Sequence, residues 1–108
     1  MSENVIELFE ETGAISKGHF LLSSGKHSAY YIQCARLLQY PIYTEKLVQR
    51  LGEKLTGDYD LVVGPAMGGI ILAYEMARYF NVRGIFGERE QGTMRLRRNF
   101  HVKQGERV

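Results

Sequence analysis

Only one cysteine, Cys34, occurs in the 108 residues. An intramolecular disulfide is therefore excluded, and so is a cysteine-based zinc site within one chain. No apolar run is long enough for a membrane span. The longest relevant charge-free stretch, Leu61 to Tyr74, has 14 residues broken by glycines, against the roughly 20 that a spanning helix needs. The first residues, Met1-Ser2-Glu3-Asn4, carry no basic segment of the kind that opens a signal peptide. The chain is thus expected to be soluble and cytoplasmic. His19, His27 and His101 show no metal-ligand spacing, and no metal site is expected from them. Internal repeats and low-complexity segments are lacking. Apolar residues make up 44% and charged residues 24%, values that exclude a disordered or collagen-like chain. The length suits one domain that buries roughly 60–70% of its unfolded surface.

Charge is spread unevenly. Residues 1–82 hold 7 Lys and Arg against 9 Asp and Glu, a balance of −2, whereas residues 83–108 hold 7 against 3, a balance of +4. A basic last quarter suits a phosphate-bearing partner, and equally a solvated basic face.

Ser2 is placed to cap a first helix with Val5, Ile6, Leu8 and Phe9 as its apolar residues, and Gly13 to end it. Phe20-Leu21-Leu22 and Tyr30-Tyr31-Ile32 read as short strands joined through the turn-rich Ser23–Ser28, a hairpin with a longer loop. Pro41 suits the first turn of another helix, whose apolar stripe is Tyr43, Leu47, Leu51 and Leu55, with Gly57 closing it. Asp60–Val63 is a short buried strand of the parallel kind. Gly64-Pro65-Ala66-Met67-Gly68-Gly69 follows, then a helix over 70–80 and a strand over 82–86. This is a βαβ unit. Met94, Leu96, Phe100 and Val102 alternate with Arg95, Arg97, Asn99, His101 and Lys103, predicting a strand or two hairpin halves with one apolar and one basic face.

In a βαβ unit the carboxyl ends of both strands point one way, and ligands bind outside those ends. Val63 leads into the glycine loop and Phe86 into Gly87-Glu88-Arg89, so Arg89 is expected near the loop. Free N–H groups at the start of a helix, glycines that let an anion approach, and a neighbouring arginine together make a phosphate or diphosphate site. The plain alternative is a tight strand-to-helix turn with glycines for packing. The loop is not G-x-G-x-x-G. It has the spacing of a P-loop, but Ile70 stands where that motif needs lysine. Of Tyr30 and Tyr31, on opposite strand faces, one is expected in the core and the other beside a flat ligand. Glu88 and Glu90 read as partners for Arg89, and Cys34 as a small buried apolar residue.

Gly18–Ser28, Tyr30–Cys34, Asp60–Ile70, and Glu88-Arg89-Glu90 through Leu96-Arg97-Arg98 resemble the orotate phosphoribosyltransferases, in order over nearly the whole chain. The S-G-K-H-S and V-G-P-A-M-G-G-I loops together carry the resemblance. It implies an α/β fold of the type I phosphoribosyltransferase kind, a parallel sheet flanked by helices with a small N-terminal hood. In these terms residues 1–40 form hood and hairpin, and 41–108 the first part of the core with a basic hairpin, all within a single incomplete domain. The implied reaction joins orotate to the ribose 5-phosphate of phosphoribosyl diphosphate, with Mg2+, in cytoplasmic pyrimidine synthesis. A homodimer is implied, and neither nucleic acid nor membrane is an expected partner. Matched to the family, Tyr31 and Ile32 fall where the base is cradled, and Lys26 joins them as a substrate-binding candidate. Ala66, Met67, Gly68 and Gly69 fall in the diphosphate loop, and Arg89 at a position that contacts phosphoribosyl diphosphate. Segment 90–98 falls in a mobile loop, where Gln91-Gly92-Thr93 replaces the catalytic basic residue of many relatives and Arg95 is the nearest candidate for that role.

The family's acidic pair and Thr/Gly-rich loop, which hold the ribose phosphate, would follow Val108. The C-terminal part of the fold is therefore expected to be missing, no metal ligand is assigned in this chain, and the chain alone is expected to be inactive. The competing readings are a phosphoribosyltransferase or regulator for another base, and a small basic nucleic-acid-binding module. The latter is weakened because Phe100 is the one aromatic residue in the basic stretch.

Overall fold

A computed structural model describes residues 4–108. The chain divides into two compact units, residues 1–44 and 45–108, and each is taken by itself.

The first unit opens with helix α1, Val5–Glu11. Its cap is Asn4, whose Oδ1 accepts from the N–H of Ile6 at 2.9 Å and of Glu7 at 3.4 Å. Ser2, read as the cap from sequence, lies outside the described residues. Gly13 ends the helix as expected. It adopts φ 72°, its N–H donates to Glu10 O, and that of Ala14 donates to Phe9 O. This paired arrangement needs a left-handed residue, which glycine adopts without a Cβ clash. Strands β1, Ile15–Leu21, and β2, His27–Ile32, form an antiparallel hairpin with an irregularity between Lys17 and Phe20. A short helix α2, Ala35–Leu38, follows. Leu8, Ala14, Leu37 and Leu38 are buried, whereas no residue of either strand is.

Helix α3, Pro41–Lys54, runs across the division between the units. Its buried residues are Thr44, Val48 and Gly52, one position along from the predicted stripe; Leu51 and Leu55 are exposed. Two facts explain the shift. Thr44 donates its hydroxyl to Tyr40 O at 3.0 Å, which satisfies a polar group where water is excluded. Gly52 lies against the Tyr79 ring, and a Cβ there would fall 2.2 Å from Cε2. A bare helix face lets the ring in.

The second unit is a three-stranded sheet. Strand β3, Leu61–Pro65, pairs parallel with β4, Arg83–Glu90, which pairs antiparallel with β5, Thr93–Leu96. Helix α4, Ile70–Phe80, connects the parallel pair and ends at Asn81 in the left-handed conformation. The sheet is thus mixed rather than wholly parallel. Small residues set its contact with α4. A Cβ on Gly64 would lie 2.6 Å from Ala73 Cβ, and one on Gly84 would lie 3.0 Å from Ala77 Cβ. Leu61, Ala73, Met76, Ala77 and Ile85 are buried in this unit. A two-residue turn, Gln91-Gly92, joins β4 to β5 with both residues at positive φ, the twist that suits a tight hairpin. The strand predicted over 94–103 stops at Leu96, because Arg98 and Asn99 both take positive φ and turn the chain.

The last residues fold back on this unit. Arg83 donates to His101 O at 2.7 Å and to Glu106 Oε1 at 2.9 Å. Asp60 and Arg107 exchange hydrogen bonds at 2.7 and 2.8 Å.

Candidate functional site

The chain leaves β3 through Gly64 and Pro65 and turns through Ala66–Gly69 into α4. The turn is fixed at three points. Ala66 N–H donates to Gly87 O at 2.7 Å, tying it to β4. Gly69 N–H donates to Pro65 O at 2.8 Å, and Ile70 N–H to Met67 O at 3.2 Å. The Ala66–Met67 peptide bond is cis. The N–H groups of Met67 and Gly68 donate to no acceptor among the described residues, and Met67 is 85% exposed. Two amide donors thus stand without an acceptor among the described residues beside the positive end of α4, a setting that favours an anion.

The glycines of this loop divide by function. Gly64 has no room for a side chain, and neither does Gly69, whose Cβ would meet Pro65 Cδ at 2.5 Å and Pro65 O at 2.8 Å. Packing accounts for both. A Cβ on Gly68 would meet nothing within 4 Å, and its φ is not in the left-handed region. Nothing within the described chain requires glycine at 68. The position is open to close approach by a ligand.

Register places Arg89 two residues beyond Gly87, the partner of Pro65, hence about 7 Å further along the strand. Arg89 is exposed and forms no ion pair among the described residues. The expected pairing with Glu88 and Glu90 does not occur. Successive strand residues face opposite sides, so both glutamates turn away from Arg89. Glu88 instead receives Arg98 Nε at 2.5 Å and lies 3.6 Å from Arg97, which also reaches Glu90 at 3.2 Å. The hydrogen bond from Arg98, aided by the two guanidinium charges and opposed by partial burial, holds the Glu88 carboxyl below its usual range. The same bond raises Arg98. Phe86 completes the arrangement, with the Phe100 ring 5.1 Å away and the Arg98 guanidinium 5.8 Å from its centroid. Sequence reasoning missed this clamp. The signal available was the alternation that sets Glu88 and Phe86 on one face.

Arg95 sits opposite Glu88 in β5, and Met94 sits opposite Arg89. The two candidate arginines therefore occupy opposite faces of the β4–β5 ribbon. Arg95 lines an open depression of about 280 Å³ with Val63, Gly64, Pro65, Gly87, Met94 and Leu96. It is exposed and without an ion pair among the described residues.

Lys26, Tyr31 and Ile32 belong to the first unit. Lys26 stands exposed in the turn before β2, and its ammonium has no partner among the described residues. Tyr31 donates its hydroxyl to Gln33 Oε1 at 3.1 Å, and its ring lies 5.7 Å from Phe20. Tyr31 is 44% and Ile32 56% exposed. Tyr30, at 50%, is not the core residue expected of the tyrosine pair. A two-stranded sheet without a covering layer leaves both faces open. Cys34 is likewise exposed rather than buried, at the start of α2.

Among the described residues no group of three His, Cys, Asp or Glu side chains converges on a metal position. No helix among them is long and apolar enough to cross a membrane.

No family model matches the sequence. Curated relatives do. The orotate phosphoribosyltransferase of Caldanaerobacter subterraneus subsp. tengcongensis is 57% identical over 107 residues, 98% of this chain and 56% of the relative. That of Thermotoga maritima is 56% identical over 104 residues, 94% of this chain and 55% of the relative. The chain thus spans little more than half the length of these relatives. Among solved structures, UMP synthase of Leishmania donovani superposes with a TM-score of 0.75 at 20% identity, over 97% of this chain and 23% of the other. Orotate phosphoribosyltransferase of Aeropyrum pernix gives 0.62 at 25% identity, over 85% and 56%.

Proposed function

We propose that this chain, whose sequence is an N-terminal portion of an orotate phosphoribosyltransferase, supplies the base-binding and diphosphate-binding residues of an enzyme that transfers ribose 5-phosphate from phosphoribosyl diphosphate to orotate. The observation that carries the reading is Gly68, a glycine with open space around it, next to two unspent amide donors.

The reaction breaks the bond between ribose C1 and the diphosphate. Negative charge grows on the leaving oxygens, so preorganised donors lower the barrier. The Met67 and Gly68 amides and the Arg89 guanidinium suit those oxygens, the amides as directional donors and the arginine as a fork. Arg95 belongs to the basic hairpin that closes over the reaction, and closure excludes water from the reacting carbon. Tyr31 offers a ring face and Ile32 an apolar surface for the base, while Lys26 offers a cation for its carboxylate.

Mg2+ fits this donor set as a companion of the substrate. Amides and guanidinium groups bind phosphate oxygens and leave the cation to those oxygens and to water. When bound, the ion neutralises charge on the diphosphate. The working unit in this reading is a homodimer in the cytoplasm. Ile71 and Tyr74, 50% and 64% exposed on α4, suit a partner surface, and an exposed, unbridged Cys34 suits a reducing compartment.

Titration calorimetry with phosphoribosyl diphosphate tests the reading. Gly68→Ala is expected to leave the unfolding free energy within about 0.5 kcal/mol of the parent, and to weaken ligand binding by roughly tenfold, one lost charge-assisted contact. Unchanged affinity in a folded variant would overturn the assignment.

A further inference from the structure

We propose that His19 and His27 form a binding site for one divalent transition-metal ion of the Cu2+, Ni2+ and Zn2+ class, on the β1–β2 hairpin and independent of the reading above. His19 Nε2 lies 2.7 Å from His27 Nδ1, and the ring centroids are 4.8 Å apart at 58°. The irregularity between Lys17 and Phe20 shifts the register at His19. A bulge of this kind re-aims a side chain. The two residues are eight apart in sequence and read there as unrelated; the hairpin brings their ring nitrogens to one point.

Two neutral imidazoles at this distance share one proton, one nitrogen donating and the other accepting. If the donor ring takes its other tautomer, both lone pairs face the same gap. A metal then replaces the shared proton. Metal–nitrogen bonds of about 2.0–2.1 Å at tetrahedral or square angles need the nitrogens roughly 2.9–3.4 Å apart. The present 2.7 Å spacing opens to that by roughly 0.2 Å for square and 0.7 Å for tetrahedral angles. Both side chains are exposed, so nothing packed must yield. Among the described residues no third His, Cys, Asp or Glu joins them, and water fills the remaining positions. Two imidazoles select borderline metals in the order Zn2+ and Ni2+ below Cu2+, and reject Mg2+, which prefers oxygen. The site is therefore separate in chemistry from a phosphate-borne Mg2+.

Titration of the chain with Cu2+ tests this, in a large excess of Mg2+. The expected result is one ion per chain, nitrogen hyperfine structure from two imidazoles in the electron paramagnetic resonance spectrum, and at least tenfold weaker binding in His19→Gln and in His27→Gln. A second measurement needs no variant. Substoichiometric Cu2+ should broaden the imidazole NMR signals of His19 and His27 and spare those of His101. Equal broadening of all three histidines, a spectrum with one nitrogen, or variants that bind as the parent does would overturn the site and leave the pair a simple hydrogen bond.

Discussion

The β1–β2 hairpin and the β3–α4–β4 crossover are both built from two strands and a connection, yet opposite forces hold them. In the hairpin no strand residue is buried, and the backbone ladder carries the structure. In the crossover, Gly64 against Ala73 and Gly84 against Ala77 bring helix and sheet close enough to bury Leu61 and Ile85. The first arrangement leaves side chains free for a ligand and tolerates change. The second spends its side chains on packing and exposes mainly backbone at the Ala66–Gly69 turn.

Substitutions can break this contrast. The largest effect is expected at Gly64. Its Cβ would overlap both Ala73 Cβ and Gly69 O at 2.6 Å, so Gly64→Ala should cost about 2–3 kcal/mol of stability in urea unfolding. Gly68→Ala, four residues on, should cost almost none. A loss intermediate between these two is expected from Gly13→Ala, which forces a side chain into φ 72°, at about 1 kcal/mol in the same assay. Tyr31→Ala removes a half-exposed ring from the hairpin and should change stability by no more than roughly 0.5 kcal/mol. Orotate binding by calorimetry should nonetheless fall, and an equal loss of fold and binding would erase the contrast. The smallest effect is expected at the Glu88 clamp. A carboxylate held below its ordinary value adds stability that is present above that value and lost as pH falls through the shifted one. Thermal unfolding followed into the acid range should show this loss in the parent and not in Glu88→Gln.

Much of the architecture is legible in the residues. Glycine at 13 ends α1, and the apolar strand, glycine loop and helix over 70–80 are the observed crossover. The reason is local: caps, turns and continuous apolar runs act over a few residues. What stayed hidden depends on neighbours far along the chain. The α3 face was missed because Gly52 has no hydrophobic signal of its own until the Tyr79 ring is seen beside it. The exposure of Cys34, Tyr30 and Tyr31 follows from layers that do not cover them, which composition does not record. The glycine loop between β3 and α4 is legible as a pattern, but the distinction between Gly64 and Gly68 depends on what surrounds each in the fold. The place of Arg89 near the end of β4 is legible too, while its freedom from Glu88 and Glu90 is not.

That freedom has a consequence for how β4 handles insertions. Its charges are sorted by parity: Arg89 falls on the odd side with Gly87 and Ile85, and the two glutamates on the even side with Phe86. One uncharged residue added between Gly87 and Glu88 would leave the net charge and every charged residue unchanged but exchange the two sides. The free cation would turn toward Phe86, and the carboxylates would turn to the side that Arg89 now occupies. The electric sign presented by each side of this strand is thus set by counting residues rather than by which residues are present.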